Sequence, residues 1–500
     1  MYPALLAAGA RVDRCHDVTL IERILQARDG IFGGACSAAA VSARASGAPV
    51  PRDRPALSGQ PMLFDTADIG DDNDSGTTDP IGTLRTALAN QQFRAGADGA
   101  LGLLLAAESA SGLAAVEMGD AGLPWRADVH DQLLVAALGP RPVSGARPVR
   151  MAALAAEIEE AFGFSVNPDS AVDLRGAFRR AGFDIESTRS WVIRAIEHPA
   201  VPPVLAYKGL ARLHSANGWN WLAEWVRDGR FRAEYLPGGV VSGRWATRGG
   251  GALQIPRGLR RAVVAEAGYR FVVSDAAQLE PRVLAAVSGD AALQAVSSGS
   301  DLYSALAGDG FGDDRARAKL AMLGAMYGQT SGEAGRLLAT LRRRYPAAMA
   351  CVQSAARRGE TGDVVHSVLG RACPPPSSSW REIVEVGSSP DATATERRRA
   401  ELLARDRGRF TRNFVVQASA ADWAAVWLSV LRRDLRSVSG AELVLFQHDE
   451  LIVHVPAESA RLVADLTIAA AESARVMVFP GSAVSTPVRP AIVECYADAK

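Results

Sequence analysis

The chain is short of cysteine, carries no surplus of either charge and has no long apolar run, and each shortage removes a class of protein. Its five cysteines, Cys15, Cys36, Cys351, Cys373 and Cys495, are scattered and odd in number, with no Cys-x-x-Cys pair. That excludes a disulfide framework or a zinc ribbon and fits a reducing cytoplasm. Lys plus Arg equals Asp plus Glu at 55 each, so overall charge announces no polyanionic partner. Such a partner has to be inferred from where cations cluster. No apolar run reaches the ~18–20 residues that cross a bilayer. The opening Met1-Tyr-Pro-Ala-Leu-Leu-Ala-Ala-Gly has no basic segment ahead of a long apolar one, so no signal peptide is read. No repeat of fixed period is visible either.

At 500 residues and 48% hydrophobic, the chain can build a sizeable core, divided among roughly two to four domains. Residues 58–82 are polar and acidic and read as an exposed linker that sets off a small N-terminal piece. From about 98 to 240 the pattern is helical, as in 99–117, 149–163 and 202–228, where Tyr207, Leu210, Leu213, Trp221, Leu222 and Trp225 recur at helical spacing. Beyond 240 strands and helices alternate, which predicts an α+β region. Pro374–Ser379 and 387–395 read as loops. Arginine clusters recur at 257–261, 315–317, 342–344, 397–399 and 405–412.

Three segments carry chemistry. In the first, a strand-like run, Phe271 to Val273, ends at Asp275, and a helix-like stretch follows. A carboxylate at the end of a buried strand can hold a hard cation, but taken alone an Asp ahead of a helix is more often a cap. In the second, Gln447-His448-Asp449-Glu450 lies between two strand-like runs, which predicts a hairpin with carboxylates at its tip. Exposed, it is an ordinary turn. Buried, as its apolar flanks suggest, its adjacent acids repel unless a cation screens them. In the third, Arg315, Lys319, Leu323 and Tyr327 stand four apart. On a helix they form one stripe about 18 Å long, cationic at one end and apolar-aromatic at the other. That polarity suits a polyphosphate with a flat base, and a surface helix with two exposed cations is the plain alternative. Gly324 and Gly328 count against the plain reading, since glycine within a helix costs ~1 kcal/mol.

Taken in order, these segments resemble the signature motifs of family A DNA polymerases, the group of bacterial DNA polymerase I and its Klenow fragment. The first motif, roughly Asp-Tyr-Ser-Gln-Ile-Glu-Leu-Arg, is matched by Asp275, Gln278, Glu280 and Arg282, with Ala276 and Ala277 in place of Tyr-Ser. The second, Arg-x3-Lys-x3-Phe-Gly-x2-Tyr-Gly, is matched by Arg315, Lys319, Gly324, Tyr327 and Gly328, with Leu323 for the phenylalanine. The third, His-Asp-Glu, is His448, Asp449 and Glu450. Supporting matches are Ser242-Gly-Arg244 through Gln254-Ile-Pro256, Arg409-x3-Asn413-x3-Gln417 with Ala420-Ala-Asp422, Tyr207-Lys208 through Arg212, and Glu117 to Gly122. The resemblance covers about residues 100–500.

The resemblance implies an α+β right-hand fold of palm, fingers and thumb, preceded by a small remnant of an RNase H-like exonuclease domain. The implied layout is a truncated exonuclease-like region at 1–100, the approach to the palm and a helical thumb at 101–240, palm at 241–300, fingers at 301–400 and palm with the catalytic hairpin at 401–500. Asp275 and Asp449 would bridge two Mg²⁺ ions, with Mn²⁺ able to substitute and Glu450 as an accessory carboxylate. Arg315 and Lys319 would hold the triphosphate, with Lys319 able to protonate the leaving pyrophosphate. Leu323 and Tyr327 would face base and sugar, while Glu280 beside Tyr327 would exclude a ribose 2′-hydroxyl and Gln278 would join the nucleotide site. Arg244, Gln254, Arg409, Asn413, Gln417 and His448 would contact primer–template DNA, and Lys208 and Arg212 its phosphates. The implied partners are primer–template DNA and dNTPs, with no membrane, for a monomer in the bacterial cytoplasm at the nucleoid.

Relatives with a proofreading exonuclease use Asp-x-Glu, a further Asp and Tyr-x3-Asp. Residues 13–27 resemble the middle of that domain, no Asp-x-Glu lies upstream, and Asp98 is preceded four residues earlier by Arg94 rather than tyrosine. No proofreading and no 5′-nuclease domain are therefore expected. Two rival readings are a single-subunit RNA polymerase, which Glu280 opposes, and an inactive primer–template-binding scaffold.

Overall fold

The structure, a computed structural model, describes residues 2–53, 79–143, 145–248, 251, 255–328 and 332–499. The expected linker falls mostly outside these residues, as does Gln254. Its end is shorter than expected: Asp79 accepts from the Ile81 N–H, Pro80 takes the first turn, and a helix runs Pro80–Ala95.

The heart of the molecule is a four-stranded antiparallel sheet in the order Glu442–Gln447, Glu450–Pro456, Tyr269–Asp275, Ala491–Val493. The unbroken apolar runs Phe271–Val273 and Leu451–Val453 fit strands covered on both faces, and every residue in them is buried. In register, Phe271 pairs with His454, Val273 with Ile452 and Asp275 with Glu450. The helices Gly99–Ala121 and Ala460–Val478 pack on this sheet. Beside them runs a helix of 42 residues, Ala394–Leu435, opened by a capping box between Thr393 and Glu396. Its Trp423 and Trp427 are fully buried and stacked with centroids 5.3 Å apart, and the Trp427 indole donates to the Thr467 carbonyl at 3.1 Å.

A second core, from Leu134 to Trp219, belongs to the helical region alone. Helix Gly99–Ala121 sits in the main core instead. The expected helix over 202–228 is broken: Val201–Asn217 stops at Gly218, where a Cβ would collide with the His214 carbonyl, and Trp219–Trp225 starts afresh. Likewise the expected loops are shorter, because Ser377 caps a helix, Ser378–Ser388.

Two expectations need correction. By length and composition, Gly99–Ala121 and Ala394–Leu435 are both apolar enough to cross a membrane. Here both are core helices, and Glu108 within the first is buried in an ion pair with Arg371 at 3.0 Å. The N-terminal piece is built of helices Tyr2–Ala7, Val18–Arg28 and Ala38–Ser46 and then Pro80–Ala95, with no strand among its described residues. The sheet that defines an RNase H-like fold is therefore missing from them.

Candidate active site

The sheet ends where the acids are. Gln447 and Glu450 pair across a turn of two residues, in which His448 takes a left-handed φ of 59°. The Asp449 N–H donates to the Gln447 carbonyl at 2.7 Å, and the Asp449 carbonyl accepts from the Ala276 N–H at 2.8 Å. That last bond seats the hairpin tip beside the end of the strand that carries Asp275. Asp275 does not cap the following helix, Leu279–Ser288, whose N-cap position is held by Gln278 in the left-handed region at φ 56°. Of the two readings open in the sequence, the cap is therefore excluded.

Burial, and then the charge of Asp275, push the Asp449 carboxyl up to about 6. Glu450 is 5% exposed and accepts from the Tyr496 hydroxyl at 2.9 Å. Among the described residues no group of three or more His, Cys, Asp or Glu forms a metal cage. Magnesium seldom uses one: it takes one or two carboxylates and completes its shell with water and phosphate oxygens. Two neighbouring carboxylates, with Asp449 made hard to ionise by burial and by the charge of Asp275, fit such a hard cation.

Around them stands a chain of polar contacts. Arg244 forms an ion pair with Glu280, whose other oxygen accepts from the Tyr327 hydroxyl at 2.8 Å. Burial, and then Glu280, raise the Tyr327 phenol above its usual range, so it stays a donor at neutral pH. Burial and then Arg244 lower the His448 imidazole, which is neutral at pH 7. His448 Nδ1 and Asn413 Oδ1 are buried polar atoms with no protein partner. Such atoms are costly unless a ligand or water satisfies them.

The third segment is a helix, Arg315–Tyr327, capped by Asp314. Lys319 is exposed, Leu323 half-buried and Tyr327 38% exposed, so the stripe has the expected polarity. The chain contains three lysines, Lys208, Lys319 and Lys500, and in so arginine-rich a protein a lysine at this point is an unusual choice. Gly328 ends the helix at φ 74°, and a Cβ there would stand 3.2 Å from Arg409. Arg412 of the long helix donates to the Ala325 carbonyl at 3.1 Å and fixes the two helices together.

Gln278 departs from expectation. Its amide donates to Asp301 at 2.8 Å and accepts from the Leu302 N–H at 2.8 Å, so it is committed within the protein. Asp301 in turn accepts from Arg315 at 3.0 Å. Burial opposes ionisation of Asp301, but Arg315, Gln278 and Ser304 outweigh it and hold the carboxyl well below its usual range. Gln278 thus reaches Arg315 at one remove. Nothing in the motif pointed to Asp301 or Tyr496. Asp301 could have been found as an Asp ahead of an apolar helical run, whereas Tyr496 lies too far along the chain.

Arg409 is exposed and pairs with Asp406 on its own helix, while Gln417 reaches the Tyr327 hydroxyl. Lys208 and Arg212 stand apart, on Val201–Asn217, with Lys208 donating to Thr188 at 3.0 Å and its ammonium lowered by burial. Tyr207 beside it is a core residue whose hydroxyl donates to Asp169 at 2.8 Å.

DNA polymerase I of Chloroflexus aurantiacus is 30% identical over 54% of this chain and 30% of its own. The thermostable DNA polymerase I of Thermus filiformis is 28% identical over 55% of this chain and 34% of its own. The chain thus spans about a third of the length of these curated relatives. The POL domain of Pol1 from M. smegmatis, solved in complex with DNA primer-template and dNTP, superposes with a TM-score of 0.70. That match covers 97% of this chain and 82% of the other at 17% identity, so the fold is the α+β right hand of palm, fingers and thumb. The model of DNA polymerase family A matches residues 145–481, about two thirds of the sequence, and the chain belongs to that family.

Proposed function

We propose that this chain is a template-directed DNA polymerase that adds dNMP to a primer 3′-hydroxyl and releases pyrophosphate. The observation that carries the reading is the seating of Asp449 beside Asp275 at the sheet end, with Arg244, Glu280 and Tyr327 ranged against them. Phosphoryl transfer needs in-line positioning and charge neutralisation more than covalent help. Asp275 and Asp449 would hold two Mg²⁺ or Mn²⁺ ions, which when bound activate the hydroxyl and neutralise the transferred phosphoryl.

The remaining work falls to the chain's own groups. Arg315 and Lys319 draw in the triphosphate. The exposed Arg315–Asp301 pair, worth little in water, gives way to it. Lys319 gives its proton to the departing pyrophosphate. Tyr327 and Glu280 close the space beside the sugar, so a 2′-hydroxyl meets a carboxylate already in use. Leu323 covers the base with an aliphatic chain where relatives present a ring. Arg244, His448, Asn413, Gln417 and Arg409 face the primer–template, and Lys208 and Arg212 lie on its backbone.

The proposed layout keeps thumb within 101–240, fingers within 301–400 and palm on either side. The enzyme works as a cytoplasmic, nucleoid-associated monomer in replication or repair. It does not proofread: Arg94 is bound to Glu22 and Asp29, and Asp98 is spent on capping Gly99–Ala121 and on Arg28.

The test is extension of a labelled primer–template with Mg²⁺ and dNTPs or rNTPs, beside Asp449→Ala. Templated dNTP addition that is lost in the variant is expected. Binding of primer–template without extension would mean a scaffold, and preference for rNTPs an RNA polymerase.

A further inference from the structure

Arg244 is placed by a loop with an unusual floor. It follows Gly243 in the connection between the paired strands Glu234–Leu236 and Ala246–Arg248. The loop closes on itself, with the Gly243 N–H donating to the Val240 carbonyl at 2.8 Å and the Val240 N–H to the Arg244 carbonyl at 3.0 Å. Its two glycines with positive φ, Gly238 at 57° and Gly243 at 85°, lie flat on buried charges. A Cβ on Gly243 would stand 2.5 Å from Arg371 Nε, and one on Gly238 would stand 2.5 Å from Glu108 Oε1.

Those charges form a buried triad. Arg371 Nη2 donates to Glu108 at 3.0 Å and Nε donates to Asp422 at 3.2 Å. Glu108 comes from Gly99–Ala121 and Asp422 from the long helix, so the guanidinium joins two main-core helices. Its own segment is fastened to the long helix by the Val368 N–H donating to Ser419 Oγ at 2.9 Å. A planar guanidinium gripped at both edges is a rigid surface, and glycine is what a backbone needs to lie flush on it.

We propose that Arg371 is a positioning residue: held by Glu108 and Asp422, it is the seat that sets the height of the Gly238–Gly243 loop and hence where Arg244 meets Glu280. The proposal rests on the polymerase reading for its consequence in catalysis, but not for its geometry. A seat raised by one methyl lifts Arg244 from Glu280 and frees the carboxylate that Tyr327 holds. A misplacement of ~1 Å can cost about 100-fold in rate.

The experiment is a double-mutant cycle. Gly243→Ala, Arg371→Lys and Arg244→Ala are made singly, and the first two again in the Arg244→Ala background. Single-nucleotide kcat and KM, primer–template Kd by anisotropy and thermal melting are read for each. Gly243→Ala should fold with a lowered melting temperature, since its Cβ meets Arg371 at a positive φ, and lose at least about tenfold in kcat. Its further effect over Arg244→Ala should shrink to the ~twofold scatter of independent sites. Arg371→Lys should behave likewise, because an ammonium lacks the planar fork. Losses that multiply in the double variants, or no loss in Gly243→Ala, would overturn the proposal. If Arg371→Lys does not fold, Gly243→Ala still decides, since it leaves every charge in place. A wild type that binds primer–template without extending would sink the polymerase reading alone, and the cycle is then read in Kd. A crystal structure of Gly243→Ala decides independently of any assay: Arg244 still on Glu280 would refute the seat.

Discussion

Asp449→Asn should make the metal-free protein more stable while abolishing its reaction. Burial and Asp275 hold the Asp449 carboxyl at about 6, against an ordinary value of 3.8. At ~1.4 kcal/mol per pH unit, that displacement withholds about 3 kcal/mol of folding stability once the group is ionised. The sign follows from which state keeps the proton longer. The native state binds it up to about pH 6, while the unfolded chain releases it near pH 4, so stability falls as pH rises between those values and is level above them. An amide of the same shape is exempt. Chemical denaturation in EDTA should show the two proteins equal near pH 4 and the variant ahead by up to about 3 kcal/mol above pH 7. Added Mg²⁺ should then reverse the order, because ligand that binds only the native site stabilises it by mass action. A variant less stable at every pH, or ahead by an amount independent of pH, would refute the view of two like charges facing one another in a buried site.

Other outcomes can be checked on the same material. Glu280→Ala should raise ribonucleotide incorporation relative to deoxyribonucleotide by about 10–100-fold in competition assays, as a fit worth ~1–3 kcal/mol is lost. Tyr327→Phe, which removes only the hydroxyl on Glu280, should change it less. Arg315→Ala should raise the KM for dNTP by roughly 10–100-fold, the ~1.5–3 kcal/mol of a charged hydrogen bond. Lys208→Ala with Arg212→Ala should lower the slope of log affinity against log salt by about two, one for each phosphate that is no longer neutralised. Trp423→Ala, at a fully buried position, should cost ~3–5 kcal/mol by urea melts.

The parts of the site that could be read in the sequence are those set by local spacing. The helix Arg315–Tyr327 follows from residues four apart, and the hairpin at His448-Asp449 from two apolar runs around a polar turn. What local spacing cannot express is partnership across the chain. Taken alone, Asp275 looked more like a cap than a ligand until the Ala276–Asp449 bond placed it, and that bond joins residues 173 positions apart by their numbers. Gln278 matched a motif by name but spends its amide on Asp301, and Tyr496 bears on Glu450 from the far end of the sequence. Long apolar helices are ambiguous in the same way. Composition registers that Gly99–Ala121 is greasy, but it does not register that a protein interior, not lipid, surrounds it.

The long helix has a mechanical consequence. Its 42 residues contain no proline and make a rod about 63 Å long at 1.5 Å per residue. Asn413 and Gln417 stand at its middle, and the buried Trp423 and Trp427 lie one to four turns further on, clamped in the core. A rod packed along its length cannot bend at its centre without breaking its ladder of hydrogen bonds, so Asn413 and Gln417 sit on a fixed anvil. The Arg315–Tyr327 helix is tied to that rod where Arg412 donates to the Ala325 carbonyl, so it leans on the same support. Amide exchange that stays slow through 413–427 would be the signature of that rigidity.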